Sequence, residues 1–463
     1  MIETKSQVKS AEQGRGGASR PASPLYLIGP GLMIVAVTYG LARYSFGLFL
    51  PDFQSTYGLS HEWLGLLASA SYGGYVLAAL YASWVSGLHG PRLPVVIGGL
   101  SATVGMLVIS ISDTVWGLAI GVVIAGASPG FSYPPLSDAV MRMIQAKHQN
   151  RTYTIINSGT SFGVMLAGPL ALFAGAEWRY AWFGFAILAM VAALWNARVM
   201  PTGAFHSSVC QVPKIRWRWL INPRSRCLMA AALFLGLATS VYWTFAVDLI
   251  VGAGATGQGT LPFSLSAESG ARIFWVLIGM SGVLGAFTGE AVSALGLRRA
   301  LIYVQFAIAG ALALLALAPH DGAAIAVSAI LFGATFIAAT ALLGVWSVRV
   351  FHDRPSAGFG ATFLVITVGQ MLSPALAGWL VDGYGPTMAF WIAALVALVP
   401  ILLAPKEHIN SMQAPTHATV GPEDDRVVEF PVAKEQPAAM RADTVTWPPS
   451  ADERRRKKKG LIG

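Results

Sequence analysis

The stretch VTYGLARYSFGLFLP, residues 37–51, lies within an apolar run that starts at residue 25 and carries a single cation, Arg43. A helix of about 20 apolar residues crosses roughly 30 Å of hydrocarbon. The run therefore predicts a membrane span, and Arg43 falls inside it. Working outward, further runs of the same kind follow at 63–85, 93–111, 115–133, 154–174 and 180–199. A second set covers 227–251, 273–295, 300–317, 323–345, 361–381 and 388–404. Helices are the expected element, because an isolated strand leaves its backbone groups unsatisfied in lipid. The reading is an all-α integral membrane protein with twelve transmembrane helices.

Composition agrees. The 463 residues are 55% hydrophobic and 11% charged, whereas a soluble domain carries about 25% charged residues. Such a chain must be solvated by lipid. The net charge of +9 raises the question of nucleic acid, but the distribution of the charge excludes it. The loops that share a side with the tails hold fourteen Lys and Arg, and the opposite loops hold only Arg179 and Arg272. Positive residues concentrate on the cytoplasmic side, so both termini are expected there, in a cytoplasmic (inner) membrane. Residues 1–24 lack the apolar segment of a signal peptide. Cys210 and Cys227 form no disulfide framework, and neither has a partner at metal-ligand spacing.

The spans divide into halves. Residues 1–24 read as a cytoplasmic tail, 25–200 as one six-helix bundle, 201–226 as a linker and 227–404 as a second bundle. Residues 405–463 read as a disordered tail that ends in RRRKKK, a segment able to meet anionic lipid. The linker contains KIRWRWL, expected at headgroup level. The fifth span, SFGVMLAGPLALFAG from Ser161, resembles the eleventh, TVGQMLSPALAGWLV from Thr367. The loop ending at Gly90 and Arg92 has a mirrored copy ending at Gly296 and Arg298. Pseudo-symmetric 6+6 chains are the plan of many secondary transporters, with the substrate site at the midplane between halves.

On these features the chain resembles the major facilitator superfamily over residues 25–404. That family's loop motif is degenerate here. SWVSGLHGPR keeps Gly90 and Arg92 but has Gly87 in the place of the acid, and GEAVSALGLR keeps Gly296 and Arg298 but has Ser293 there. Val122 stands where the family carries an arginine in the fourth helix. Trp178-Arg179 and Gly168-Pro169 match generic features of helices six and five. The first helix is similar to that of a poorly characterised bacterial branch. The resemblance implies alternating access by two rocking bundles.

Other chemistry is absent from the sequence. Gly252, Gly254 and Gly257 match G-x-G-x-x-G, but they end an apolar span instead of opening a βαβ unit. No phosphate-binding G-x-x-x-x-G-K-[ST] occurs, and the histidines fall in loops or the tail. No enzyme activity, cofactor or metal is expected.

Arg43 lies about 12 Å from the end of its span. Arginine at such depth costs about 2.5–3.5 kcal/mol on insertion scales and usually faces protein or water. Tyr39, Arg43 and Phe46 share one α-helical face, and Gly40 and Gly47 a neighbouring one. Three roles stand open for Arg43: binding an anionic substrate, latching the halves through Asp248, or bonding to backbone carbonyls. Tyr133, Asn157, Tyr242, Trp243 and Gln370 complete the candidate cavity. The expected function is secondary transport of a small organic anion, with or without a co- or counter-transported proton, by a monomer among membrane lipids. Efflux of hydrophobic drug-like compounds is the alternative, and a non-transporting receptor on the same fold is the alternative of another class.

Overall fold

The computed structural model describes residues 24–175, 177–203, 225–255, 267–352 and 355–405. Most of the expected tails and linker, with KIRWRWL, RRRKKK and Gly257, lies outside the described residues.

The twelve spans are helices. In the first half they are α1 (Leu25–Leu48), α2 (His61–His89), α3 (Arg92–Ile111), α4 (Val115–Met143), α5 (Lys147–Ala174) and α6 (Trp178–Val199). In the second half, α7 covers Arg226–Gly254. The helical stretch Glu268–Leu317 is two spans, because Gly296 adopts φ +77° and ψ 157° and turns the chain back. These spans are α8 (268–295) and α9 (297–317). They are followed by α10 (Gly322–Val350), α11 (Gly358–Tyr384) and α12 (Pro386–Leu402). The mirrored loop turns at Gly90, with φ +85°. Glycine reaches this region without the Cβ penalty, which explains why both loop copies keep it while losing their acids.

Packing repeats between the halves. In the first, α1 lies on α5, α2 on α4, and α3 on α4 and α6; in the second, α7 lies on α11, α8 on α10, and α9 on α10 and α12. Small residues set the α1–α5 and α7–α11 approaches. A Cβ on Gly163 would lie 2.9 Å from the Gly40 Cα, and one on Gly369 would lie 3.1 Å from the Gly236 Cα. Gly163 and Gly369 are matched positions of the two resembling spans. Without a hydrophobic drive between helices in lipid, close backbone contact of this kind supplies much of the packing energy.

The halves meet chiefly through α2 against α11 and α5 against α8, which exchange under the pseudo-symmetry, and also through α1 against α7. An even number of spans puts Pro24 and Ala404 on one face, here the termini face; the opposite one is the far face. Between described residues, the hydrogen bonds that join the halves lie at the level of Arg43 or nearer the far face.

Candidate functional site

The centre of the molecule is built on a local distortion of α1. Residues Ala36–Tyr44 wind as a π-helix between α-helical turns, with Ser45 Oγ donating to the Gly40 carbonyl. π-Helical segments are rare and cluster at functional sites. The winding alters the face expected from α-helical spacing. Tyr44 joins Tyr39 and Arg43, and the rings of the two tyrosines lie 6.3 Å apart. Sequence reasoning missed Tyr44, since at 3.6 residues per turn it points elsewhere.

Arg43 is 5% exposed. Its guanidinium carbon sits 4.4 Å and 4.5 Å from the ring centroids of Tyr75 and Tyr72 on α2. It lies 5.5 Å and 5.7 Å from those of Tyr39 and Tyr44. All four fall within cation–π range. Nη2 donates to Gln370 Oε1 on α11 at 2.9 Å, so α1 of one half is tied to α11 of the other. Nε has no hydrogen-bond partner. Among the described residues no carboxylate lies within 4.0 Å of Arg43.

A narrow cleft, with room for about one water molecule, opens beside the guanidinium, lined by Arg43, Tyr44, Phe46, Ser71, Tyr72 and Trp243 among others. Trp243 stacks on Tyr44 across the halves at 4.1 Å, and its Nε1 is buried without a partner. The surroundings of the cleft are thus one cation, one neutral amide, the hydroxyl residues Ser71 and Thr244, and aromatic rings of which Trp243 keeps an unused donor.

The other expected residues fall around this centre in different ways. Tyr39 Oη lies 3.0 Å from Tyr75 Oη, and its ring is 5.3 Å from that of Tyr133. Tyr133 Oη donates to Asn157 Oδ1 at 3.0 Å, extending the tyrosine cluster toward α5. Tyr242 turns away from the cleft. It is fully buried in the second half, stacked on Phe332 at 3.7 Å, with its hydroxyl 2.8 Å from Ser328 Oγ. Adjacent residues on a helix point about 100° apart, so Tyr242 and Trp243 could not both face the cleft.

The latch between Arg43 and Asp248, one of the three roles open to the guanidinium, is not formed in this conformation. Asp248 Oδ2 is 3.1 Å from His61 Nε2 instead. Asp248 lies beyond Arg43 along the helix bundle, level with the first turn of α2, and therefore meets the residue that opens α2. His61 is a loop residue by the apolar-run boundaries alone. It begins α2, with Nδ1 2.7 Å from Asp382 Oδ1 on α11. Sequence offered no sign of this pairing, because its partners are 187 and 321 residues away.

The loop residues Gly90, Arg92, Gly296 and Arg298 lie at the termini face, apart from the cleft. Arg92 Nε donates to the Met200 carbonyl at 2.6 Å. Beside Gly87, Ser86 Oγ donates to Asp138 Oδ2 on α4 at 2.6 Å, so α2 and α4 are joined there although the loop has lost its acid. Gly252 and Gly254 continue the α7 helix, which removes the dinucleotide-turn reading.

Two six-helix halves packed around a central polar cluster define the secondary-transporter fold. The chain matches, over residues 35–405, the family described as "Uncharacterised MFS-type transporter YbfB", and it belongs to that family. It is thus a multi-pass membrane transporter of the major facilitator type and not an enzyme. Among relatives, it is 22% identical over 360 residues to the "Transcription regulatory protein OpdE" of Pseudomonas aeruginosa PAO1, covering 76% of this chain and 85% of that one. It is 21% identical over 321 residues to the "Purine ribonucleoside efflux pump NepI" of Shigella dysenteriae serotype 1, covering 67% and 77%. Its fold matches the crystal structure of the nucleoside transporter NupG (D323A mutant) with a TM-score of 0.64 at 14% identity, over 81% of this chain and 98% of that one.

Proposed function

We propose that the protein carries a small organic anion, a carboxylate with an apolar or aromatic body, across the cytoplasmic membrane by alternating access. In this reading the termini face is cytoplasmic, as the loop charges suggest, and the carrier works as a monomer, with or without a proton. One observation carries the substrate class: a buried guanidinium with no acid beside it and a free Nε borders a narrow cleft between the halves. A carboxylate accepts two parallel N–H bonds from the guanidinium fork. It would supply the neutralising charge that Gln370 cannot. The far-face contacts between halves fit a state closed to the outside.

The stacked Tyr44–Trp243 pair favours a second reading, a flat neutral heterocycle such as the purine ribonucleosides in the name of one relative. The test is a thermal-shift screen of purified wild type and Arg43→Ala against organic anions, nucleosides, cations and neutral amphiphiles. Ligands that bind only the folded state raise its Tm. Carboxylates should stabilise the wild type and leave the variant unmoved. Equal stabilisation of both proteins by nucleosides or amphiphiles, with none by carboxylates, would reject the anion reading. Flux of the hit into sealed proteoliposomes separates a carrier from a receptor that binds without transport.

A further inference from the structure

We propose that His61 is a proton-binding site in the far mouth and that its protonation holds that mouth closed. The imidazole stands on the first half between two carboxylates of the second. Nδ1 faces Asp382 Oδ1 on α11 at 2.7 Å, and Nε2 faces Asp248 Oδ2 on α7 at 3.1 Å. A neutral imidazole has one N–H, so only the imidazolium donates to both acids at once. The remaining groups around the ring fit that form. The Gln54 amide nitrogen is placed 3.2 Å from Nε2; amide nitrogen and oxygen exchange places by a flip of the group, and beside an imidazolium the flipped form, with its oxygen as a second acceptor, is the favoured one. The Phe245 ring centroid is 6.4 Å away. Among the described residues no Lys or Arg lies within 4.0 Å of either carboxylate. On α8, Arg272 lies 4.0 Å from Glu268 and also acts on Asp52, in the short helix that carries Gln54.

The two acids are not equivalent. Asp382 also accepts from the backbone N–H of His61 at 3.1 Å and of Glu62 at 2.8 Å, so it caps the start of α2 from the other half. That bond set survives when the ring loses its proton. Asp248 has no such support. A neutral ring keeps its proton on Nδ1, toward Asp382, and turns a lone pair to Asp248. A carboxylate that is 8% exposed then loses its donor and faces a lone pair, which is costly away from water. Deprotonation therefore releases α7 from α2. The proposal is independent of the substrate, because His61 is outside the cleft.

The experiment measures electron–electron distances between spin labels across the far face. Labels go on Trp116→Cys and Tyr384→Cys, two exposed positions at the far ends of α4 and α11, with Cys210 and Cys227 replaced by serine. The full chain sits in nanodiscs between about pH 5.5 and 8.5, the range in which imidazoles titrate. The wild type should gain long distances as pH rises, by about tenfold in open-to-closed ratio, the scale of one charge-assisted hydrogen bond. His61→Gln, which can reach only one acid, should show long distances at every pH. Asp248→Asn, a second variant, should shrink the pH swing. A pH-independent wild type overturns the proposal, and so does a His61→Gln curve that follows the wild type.

Discussion

The substitution Gly47→Ala should hold the far mouth open. Gly47 lies one residue from the end of α1, where the helix backs directly onto α7. A Cβ there would overlap the Trp243 carbonyl oxygen, and would also sit 2.9 Å from its carbon and 3.2 Å from the Thr244 oxygen. These are backbone atoms, so no rotamer change relieves the contact. Heavy atoms settle at about 3.5–4.0 Å, so α1 and α7 must separate by roughly 1 Å or more. Overpacking of this sort costs about 1–3 kcal/mol. The cost falls only on the far-closed state, in which the two backbones touch. At about 1.4 kcal/mol per factor of ten, the midpoint of that range shifts the closed-to-open ratio by roughly thirtyfold. The far-face distance measurement reads the shift directly, and substrate flux should fall because closure is one half of the transport cycle. Thermal unfolding gives the control, since a variant that merely fails to fold loses its transition. A Gly47→Ala protein with wild-type distances and wild-type flux would refute the reasoning.

Other outcomes follow from the same geometry. Arg43→Met should fold with a Tm close to that of the wild type, because losing the Gln370 bond and the tyrosine contacts offsets relief of the roughly 2.5–3.5 kcal/mol of burying a cation at this depth; anion binding should weaken by a hundredfold or more, read by calorimetry. Asp52, in the short helix Leu50–Tyr57 beyond the end of α1, has its carboxyl pushed up to about 6 by burial, against the lowering effect of Arg272. Its protonated form is favoured in the fold, so its stabilising contribution is present below the ordinary carboxylate range and is lost as pH rises through about 6. Asp52→Asn should therefore exceed the wild type in stability above pH 7 by on the order of 1 kcal/mol, read as a higher Tm, and the gap should close at low pH. Asn196 is fully buried on α6, and its Nδ2 donates to the carbonyls of Pro30 at 2.9 Å and Ala192 at 2.8 Å. Asn196→Leu should lower Tm by loosening α1 from α6, at a cost of about 1–3 kcal/mol.

The twelve spans, their division into halves and the unusual standing of Arg43 are legible in the residues alone. Each of these depends on local properties, namely the length of an apolar run, a charge inside it and the matched Gly-x-Met-Leu segments. Hydrocarbon thickness imposes those lengths on any chain that crosses it, so they can be read without knowing the neighbours. Which groups meet depends on how the helices pack. Gln370, not Asp248, receives the guanidinium; Tyr44 joins the cluster only because α1 winds as a π-helix; Tyr242 faces the interior of the second half. His61 shows the difference most clearly. As a sequence position it is a polar residue before a span. Only the packing of α2 on α11, which brings its first residue to Asp248 of α7, gives it two carboxylates, and with them a reason to bind a proton.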